Sequence, residues 1–303
     1  MQNFIGSRSL PEINYHRPQE LEALLDLLGS LEAPLKVVGG CTDFIPAVRH
    51  GNWIFDDGLN LVDIRRVAGL SGIRQEDGNI VIGAATRLSD IAASPLLAQK
   101  APVLARAVDS MASPQVRNTA TIGGNLCMAS PAADSAPPLL VLDAAVAVCN
   151  IDGVKTVPLN RFFSGPGATC LGPRDILTEI RFPAMGAGES ARRVRLGLRT
   201  AFVCSIISVA VRLKTDGRTI TEARVAMGAV APTPVRLNDA EAFLTGKAPD
   251  PALADDAGRL AAAQVDPITD LRASADYRRA MAHTLTRRLI QACLKDLKAQ
   301  FPG

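Results

Sequence analysis

Hydrophobic positions along the chain alternate between helical and strand spacing, and glycine and proline mark most of the changes. Residues 18–29 (PQELEALLDLLG) carry leucines at helical intervals between Pro18 and Gly29, which predicts a short amphipathic helix. After Pro34, Leu35 to Val38 reads as a buried strand that stops at Gly39-Gly40. Residues 59–64 and 79–84 alternate as strands, and Asp77-Gly78-Asn79 predicts a hairpin turn before the second. Thr86 to Ala98 reads as a capped helix broken near Pro95, and a longer helix is expected from Pro102 to Ala112. Thr119 to Leu126 (TATIGGNL) reads as a strand ending in a second Gly-Gly turn, and Leu139 to Val148 as another buried element. Residues 176–182 alternate with Ile176, Ile180 and Phe182 on one face. The polar stretch 184–193 then marks a boundary. Strands are expected near 194–199, 203–213 and 222–229, followed by alanine-rich helices from about Asn238. The last, about 274–297, spaces Tyr277, Met281, Leu285, Leu289 and Cys293 at i, i+4 steps, a core face.

Composition narrows the function classes. With 303 residues, 48% hydrophobic and 21% charged, the chain can build full cores in two or three domains, and wholesale disorder is excluded. A net charge of +3 gives no ground for nucleic-acid binding. Aromatics are scarce, with Trp53 the one tryptophan, so a ligand walled by stacked rings finds few partners. No two of Cys41, Cys127, Cys149, Cys170, Cys204 and Cys293 form a CxxC pair, which argues against a zinc ribbon, a thioredoxin motif or an iron–sulfur cluster on this chain. Most of them sit among apolar neighbours and read as small buried residues of a reducing compartment. His16, His50 and His283 form no HExxH motif, and no GxSxG elbow is present. The first residues lack the apolar core of a signal peptide. The most apolar run, Ala201 to Leu213, contains Arg212 and is too short to span a membrane, so a cytoplasmic protein is expected.

Two motifs carry the candidate chemistry. Val37-Val38-Gly39-Gly40-Cys41-Thr42-Asp43 and Thr121-Ile122-Gly123-Gly124-Asn125 each pair glycines at an expected strand end. Such turns either serve the chain alone or turn successive N–H groups towards an anion. Two of them suit the two ends of a diphosphate. Neither reads GxGxxG, and no GxxxxGK[ST] occurs, which argues against Rossmann and Walker-type sites. Asp134, in Ala129 to Pro137 (ASPAADSAP), either accepts hydrogen bonds from ligand hydroxyls or caps the element that follows.

GGCTD, QVRNTATIGGNL, ASPAADSAP and FFSGPGATCLGPRDILTEIRFP, in that order, resemble the FAD-binding subunit of the molybdenum hydroxylases, the xanthine and carbon monoxide dehydrogenase family. LRASADYRRAMAHTLTRR extends the resemblance towards the C-terminus. It implies an α+β architecture: a two-subdomain p-cresol methylhydroxylase-type FAD-binding fold (1–58 and 59–184), then a small C-terminal domain (190–303) of a three-stranded sheet plus helices. It also implies FAD contacts. Val37, Val38, Gly39, Gly40, Cys41, Thr42 and Asp43 would wrap the diphosphate, and Thr121, Gly123, Gly124 and Asn125 would complete the cradle. Asp134 would meet the ribityl or flavin side, and Leu171 would pack on the flavin. Met111 stands where relatives often place an aromatic, Arg195 where many have lysine, and Arg199 keeps the family's arginine.

The implied function is electron transfer. Noncovalently bound FAD would collect electrons from 2Fe–2S clusters on a small partner chain, fed by a molybdenum cofactor on a large one, in a heterotrimer that can pair into a dimer of heterotrimers. Noncovalent binding is expected because no histidine stands in either glycine motif. The cysteine-rich insertion of 4-hydroxybenzoyl-CoA reductase relatives has no counterpart here. The loop Ala201 to Cys204 is short and neutral, where NAD-reducing relatives carry a charged one. Two other readings are a self-sufficient flavin reductase or oxidase, which needs acids or bases the sequence does not gather, and a dinucleotide-binding scaffold without turnover.

Overall fold

A computed structural model of the chain describes residues 10–32, 34–55, 58–199 and 204–300. Its first layer is a parallel sheet of β1 (Ile13–His16), β2 (Leu35–Val38) and β3 (Leu59–Asp63), in the order β1-β3-β2. Parallel neighbours need crossover connections, and here α1 (Leu21–Ser30) lies between β1 and β2, and α2 (Phe44–Arg49) between β2 and β3. The helices cover different clusters. Leu24 and Leu28 of α1 pack with Val62, whereas Phe44 and Val48 of α2 pack with Val38, Leu59 and Leu61. Strand β3 is thus the centre of the first sheet, although the 58/59 boundary expected from sequence would assign it to the second unit. Its apolar run fits a strand covered on both faces.

The second sheet is antiparallel, with β4 (Ile73–Glu76), β5 (Asn79–Gly83), β6 (Ala145–Asn150), β7 (Gly153–Pro158) and β10 (Ile176–Pro183) ordered β4-β5-β10-β6-β7. The expected hairpin joins β4 to β5, with Asp77 at φ 48° and Gly78 at φ 78°. A small hairpin of β8 (Phe163–Gly165) and β9 (Ala168–Thr169) precedes β10. Helices α3 (Leu88–Ala92), α4 (Pro95–Lys100), α5 (Pro102–Asp109), α6 (Pro114–Arg117), α7 (Ile122–Cys127) and α8 (Ala136–Val141) supply the connections. The break near Pro95 is a true one: Ser94 caps α4, its side chain accepting from the Leu97 N–H at 3.3 Å. The buried stretch 139–148 divides, its first half ending α8 and its second forming β6.

The third sheet contains β11 (Glu189–Leu196), β12 (Ile207–Thr215), β13 (Ile220–Gly228) and a two-residue β14 (Val235–Arg236), in sequence order. The short β14 is a fourth strand beyond the expected three. Its brevity hides it from any periodicity argument. Helices α9 (Asn238–Leu244), α10 (Leu253–Ala263) and α11 (Ala275–Gln300) pack on one face, against Val209, Val211, Val225 and Met227. The opposite face is pared down to Ala191, Ala210 and Ala226, which join the core of the second layer and let α8 approach. Along this seam Arg212, 5% exposed, donates to the Val141 carbonyl at 3.2 Å, while Arg224 and Arg236 each pair with Asp143 at 2.8 Å. The expected stripe on α11 holds for Leu285, Leu289 and Cys293, which are buried, but Tyr277 is 45% exposed.

Among the cysteines only Cys149 and Cys293 are buried. Cys41 and Cys127 are half-buried, and Cys170 and Cys204 are exposed, so the expectation that most are core residues fails. Local apolar neighbours do not decide burial when a cysteine falls at the mouth of a cleft or at a loop end. Among the described residues, no helix is long and apolar enough to cross a membrane.

Candidate functional site

The first glycine motif leaves the carboxyl end of β2, next to the central strand, where open sheets of parallel strands commonly bind ligands. Its geometry is that of an open nest. Cys41 takes φ 56°, which turns the chain after Gly40 and starts α2. None of the N–H groups of residues 39–44 finds an acceptor among the described residues. The carbonyls of Cys41 and Asp43, by contrast, are engaged by Ile45 and Ala47. A run of unsatisfied N–H groups beside a cleft suits an anion. The glycines serve a second purpose. A Cβ on Gly40 would lie 2.1 Å from the Thr119 carbonyl oxygen, and one on Gly39 would lie 2.4 Å from Thr121 Oγ1. The first motif therefore rests directly on the segment leading into the second.

The second motif is a different object from the strand and turn that its sequence suggests. Residues 122–127 form α7, and Thr121 is its N-cap, accepting from the Gly124 N–H at 3.1 Å. Every amide from Ile122 to Asn125 is already used. Ile122 donates to Thr86 O, Gly123 to Ala84 O, Gly124 to Thr121 Oγ1 and Asn125 to Thr121 O. The reading of two equivalent nests fails for this reason: one is open and the other is closed. Gly123 is needed for packing, because a Cβ there would stand 2.7 Å from both Ala84 Cβ and Ala84 O. TATIGG alternates like a strand, but the Thr121 hydroxyl offers the following N–H groups a helical start that periodicity does not weigh.

Between the motifs runs a cleft of about 830 Å³, at the upper end of the roughly 300–1,000 Å³ usual for small-molecule sites. Val37, Val38, Gly39, Gly40, Cys41, Thr42, Asp43, Thr121, Gly123, Gly124, Asn125 and Leu171 all line it. Met111, Asp134 and Arg195 do not. Met111 is buried in the second-layer core, its carbonyl accepting from Arg117 at 2.7 Å. Asp134 is 8% exposed and faces the C-terminal domain, where it pairs with Arg195 at 3.2 Å and accepts from the Ser205 hydroxyl at 2.6 Å. The capping role for Asp134 is not what forms either, since Ser135 occupies the N-cap of α8. Residues 201–203 of the neutral loop lie outside the described residues.

Sequence reasoning missed part of the lining. Trp53, Ile64, Ala84 and residues 172–177 also wall the cleft. The chain's one tryptophan thus stands in the site, with Lys36 Nζ 5.0 Å from the centre of its ring. No motif surrounds Trp53; only the α2 turn brings it back to β2. Residues 171–177 are held by Asp175, whose carboxylate accepts from Gly172 N at 3.0 Å, Asn150 Nδ2 at 2.9 Å and Lys155 Nζ at 3.0 Å. Two thiols reach the cleft, and neither is activated: burial pushes Cys41 up from its ordinary value and Cys127 up to about 12. Beside the first motif, at the end of β3, Asp63 is 1% exposed. It accepts from the Tyr15 hydroxyl at 2.6 Å and from Arg65 Nη2 at 2.7 Å. Its burial acts to raise its pKa, but the bonds from Arg65 and Tyr15 outweigh burial and hold the carboxyl below its usual range. Among the described residues, no group of three or more His, Cys, Asp or Glu side chains gathers as a metal site.

Comparison with known proteins bears on both halves of this arrangement. Residues 11–185 match the family described as the FAD binding domain in molybdopterin dehydrogenase, and residues 194–293 match the CO dehydrogenase flavoprotein C-terminal domain. The chain is 33% identical over 282 residues to the carbon monoxide dehydrogenase medium chain of Hydrogenophaga pseudoflava, covering 93% of this chain and 97% of that one. It is also 33% identical over 279 residues to the putative xanthine dehydrogenase FAD-binding subunit XdhB of Escherichia coli K12, covering 91% and 94%. Among solved structures, the H. pseudoflava carbon monoxide dehydrogenase that lacks the Mo-pyranopterin moiety of its cofactor superposes with a TM-score of 0.88 at 33% identity, over 96% of this chain and 99% of that one. Quinoline 2-oxidoreductase from Pseudomonas putida 86 gives 0.87 at 25% identity, over 96% and 99%.

Proposed function

Because the chain belongs to the family of FAD-binding medium subunits of the carbon monoxide and xanthine dehydrogenases, we propose that it is the flavoprotein component of a heterotrimeric molybdenum hydroxylase. In that assembly it passes electrons from 2Fe–2S clusters on a small chain to an external acceptor, while a large chain carries the molybdenum cofactor. The observation that carries the reading is the run of unsatisfied N–H groups from Gly39 to Phe44 along a dinucleotide-sized cleft. FAD, when bound, supplies a centre that accepts electrons singly and releases them in pairs.

The chain's own residues bind and orient. The amides of the first motif balance the diphosphate charge without a formal positive charge, and the backbone contact of Gly40 with Thr119 keeps them in place. Leu171, Ile176 and Leu177 form an apolar wall that limits water in the cleft. Cys41 and Cys127, kept as thiols by burial, make poor nucleophiles, which supports noncovalent attachment. No acid–base pair is needed, which separates this reading from a self-sufficient reductase or oxidase.

Two measurements test it. The purified chain should carry flavin that acid precipitation releases completely into the supernatant, and FAD added to the stripped chain should quench the fluorescence of Trp53. The native complex should contain iron and molybdenum as well as flavin. Flavin retained on the precipitate would overturn noncovalent binding, and a native protein without iron and molybdenum would overturn the heterotrimer.

A further inference from the structure

With the backbone amides from Ile122 to Asn125 spent, the side-chain donors that the second motif keeps for the cleft are the Asn125 amide and the hydroxyl hydrogen of Thr121. An asparagine amide is ambivalent, since rotation exchanges a donor for an acceptor, and an oxygen turned towards a diphosphate would repel it. Something must therefore fix the rotation. Ser135, fully buried at the start of α8, donates its hydroxyl to Asn125 Oδ1 at 2.6 Å. This bond occupies the amide oxygen and leaves Nδ2 to face the cleft, where it has no acceptor among the described residues.

Ser135 is itself held from the far side. Its neighbour Asp134 is locked to the C-terminal domain by Arg195 and Ser205, and the Pro131 carbonyl accepts from Ala229 N at 2.7 Å. We infer that Ser135 is a positioning residue that sets the side-chain amide of Asn125 as a hydrogen-bond donor towards the cofactor's diphosphate, and that the C-terminal domain anchors this setting through Asp134. The inference rests on the FAD-binding reading above. It adds that the second motif contacts its anion by an oriented side chain rather than by a nest.

A double-mutant cycle on the full chain, with FAD as the probe, tests it. Ser135→Ala frees the amide to rotate, and FAD should bind about tenfold more weakly, as for the loss of one hydrogen bond to a charged group. Asn125→Ala should weaken binding at least as much. In the double variant Ser135→Ala should add nothing further, because its effect passes through Asn125. Ser135→Cys, which keeps the volume with a poorer donor, should fall between parent and Ser135→Ala and serves if the alanine variant does not fold. Unchanged FAD affinity in the Ser135 variants would overturn the inference. So would a full tenfold loss persisting in the Asn125→Ala background, which would mark Ser135 as merely structural. Failure of the parent chain to bind FAD would instead overturn the reading beneath it.

Discussion

The two glycine motifs look alike on paper and behave as opposites in space. Val38-Gly39-Gly40-Cys41 leaves a strand and opens a row of N–H groups beside the cleft, whereas Thr121-Ile122-Gly123-Gly124 enters a helix and closes its amides from Ile122 onward upon the fold. The difference lies in what surrounds each pair. Gly39 and Gly40 back onto Thr119 to Thr121, so their free side is the cleft, and Gly123 backs onto Ala84, so its N–H is consumed by the Ala84 carbonyl. Paired glycines thus report close backbone approach in both places, and a run of unsatisfied N–H groups in only one.

The sharpest way to break this contrast is at Gly40. Its Cβ would meet the Thr119 carbonyl oxygen and the Ala120 Cα, both backbone, so the chain itself must move. Gly40→Ala should cost FAD affinity on the order of a hundredfold, equivalent to about 3 kcal/mol of overpacking delivered to the nest. Flavin bound per chain after gel filtration reads this directly, and full flavin content would refute the open-nest assignment. Gly123→Ala meets Ala84 instead, away from the N–H groups that face the cleft. It should lower unfolding stability by about 1–3 kcal/mol in urea titration while moving FAD affinity less than Gly40→Ala does. A reversed order of flavin loss would invert the comparison.

Cys41→Gly asks whether the first motif works through backbone alone. Cys41 holds φ 56°, a conformation that glycine adopts freely. Flavin content should persist, and stability should rise by at most about 1 kcal/mol, the strain relieved less the extra chain entropy of glycine. Loss of flavin would assign the thiol a role that the geometry does not give it. The smallest expected effect is in acid. The Asp63 carboxyl is lower in the folded chain than in the unfolded one, so its stabilisation is fully present above the ordinary carboxylate range. That contribution is lost as pH falls through the lower folded value, below about pH 4. Acid unfolding followed by circular dichroism should show a shallower pH dependence for Asp63→Asn than for the parent. Equal dependence would remove Asp63 from the groups whose ionisation stabilises the fold.

Much of this was legible in the chain. Prolines and glycines marked the break before α4 and the hairpin between β4 and β5, because those residues act locally, whereas the polar stretch 184–193 marked the domain boundary only in its first half, since β11 already starts at Glu189. The order of four motifs identified the family, and twelve of the fifteen site residues expected from it line the cleft. What could not be read is of another kind. Whether Gly123-Gly124 closes a strand or opens a helix depends on the local Thr121 cap and also on Thr86 and Ala84, which lie more than thirty positions away and accept the Ile122 and Gly123 amides. Trp53 reaches the cleft only because α2 folds back on β2. Asp134 turns from the cleft to the C-terminal domain because Arg195 and Ser205, on the far side of a domain boundary, offer it charge and a hydroxyl.

The amino-acid sequence by itself therefore determined most of the elements, the family and the place of the open glycine turn proposed to bind the diphosphate, since each rests on short-range conformational preference or on motif order. The tertiary structure alone decided which glycine pair presents free N–H groups, which strand completes the first sheet and which donor the second motif retains. Each of those depends on partners distant along the chain. A backbone amide is available to a ligand only when the fold supplies it no other acceptor.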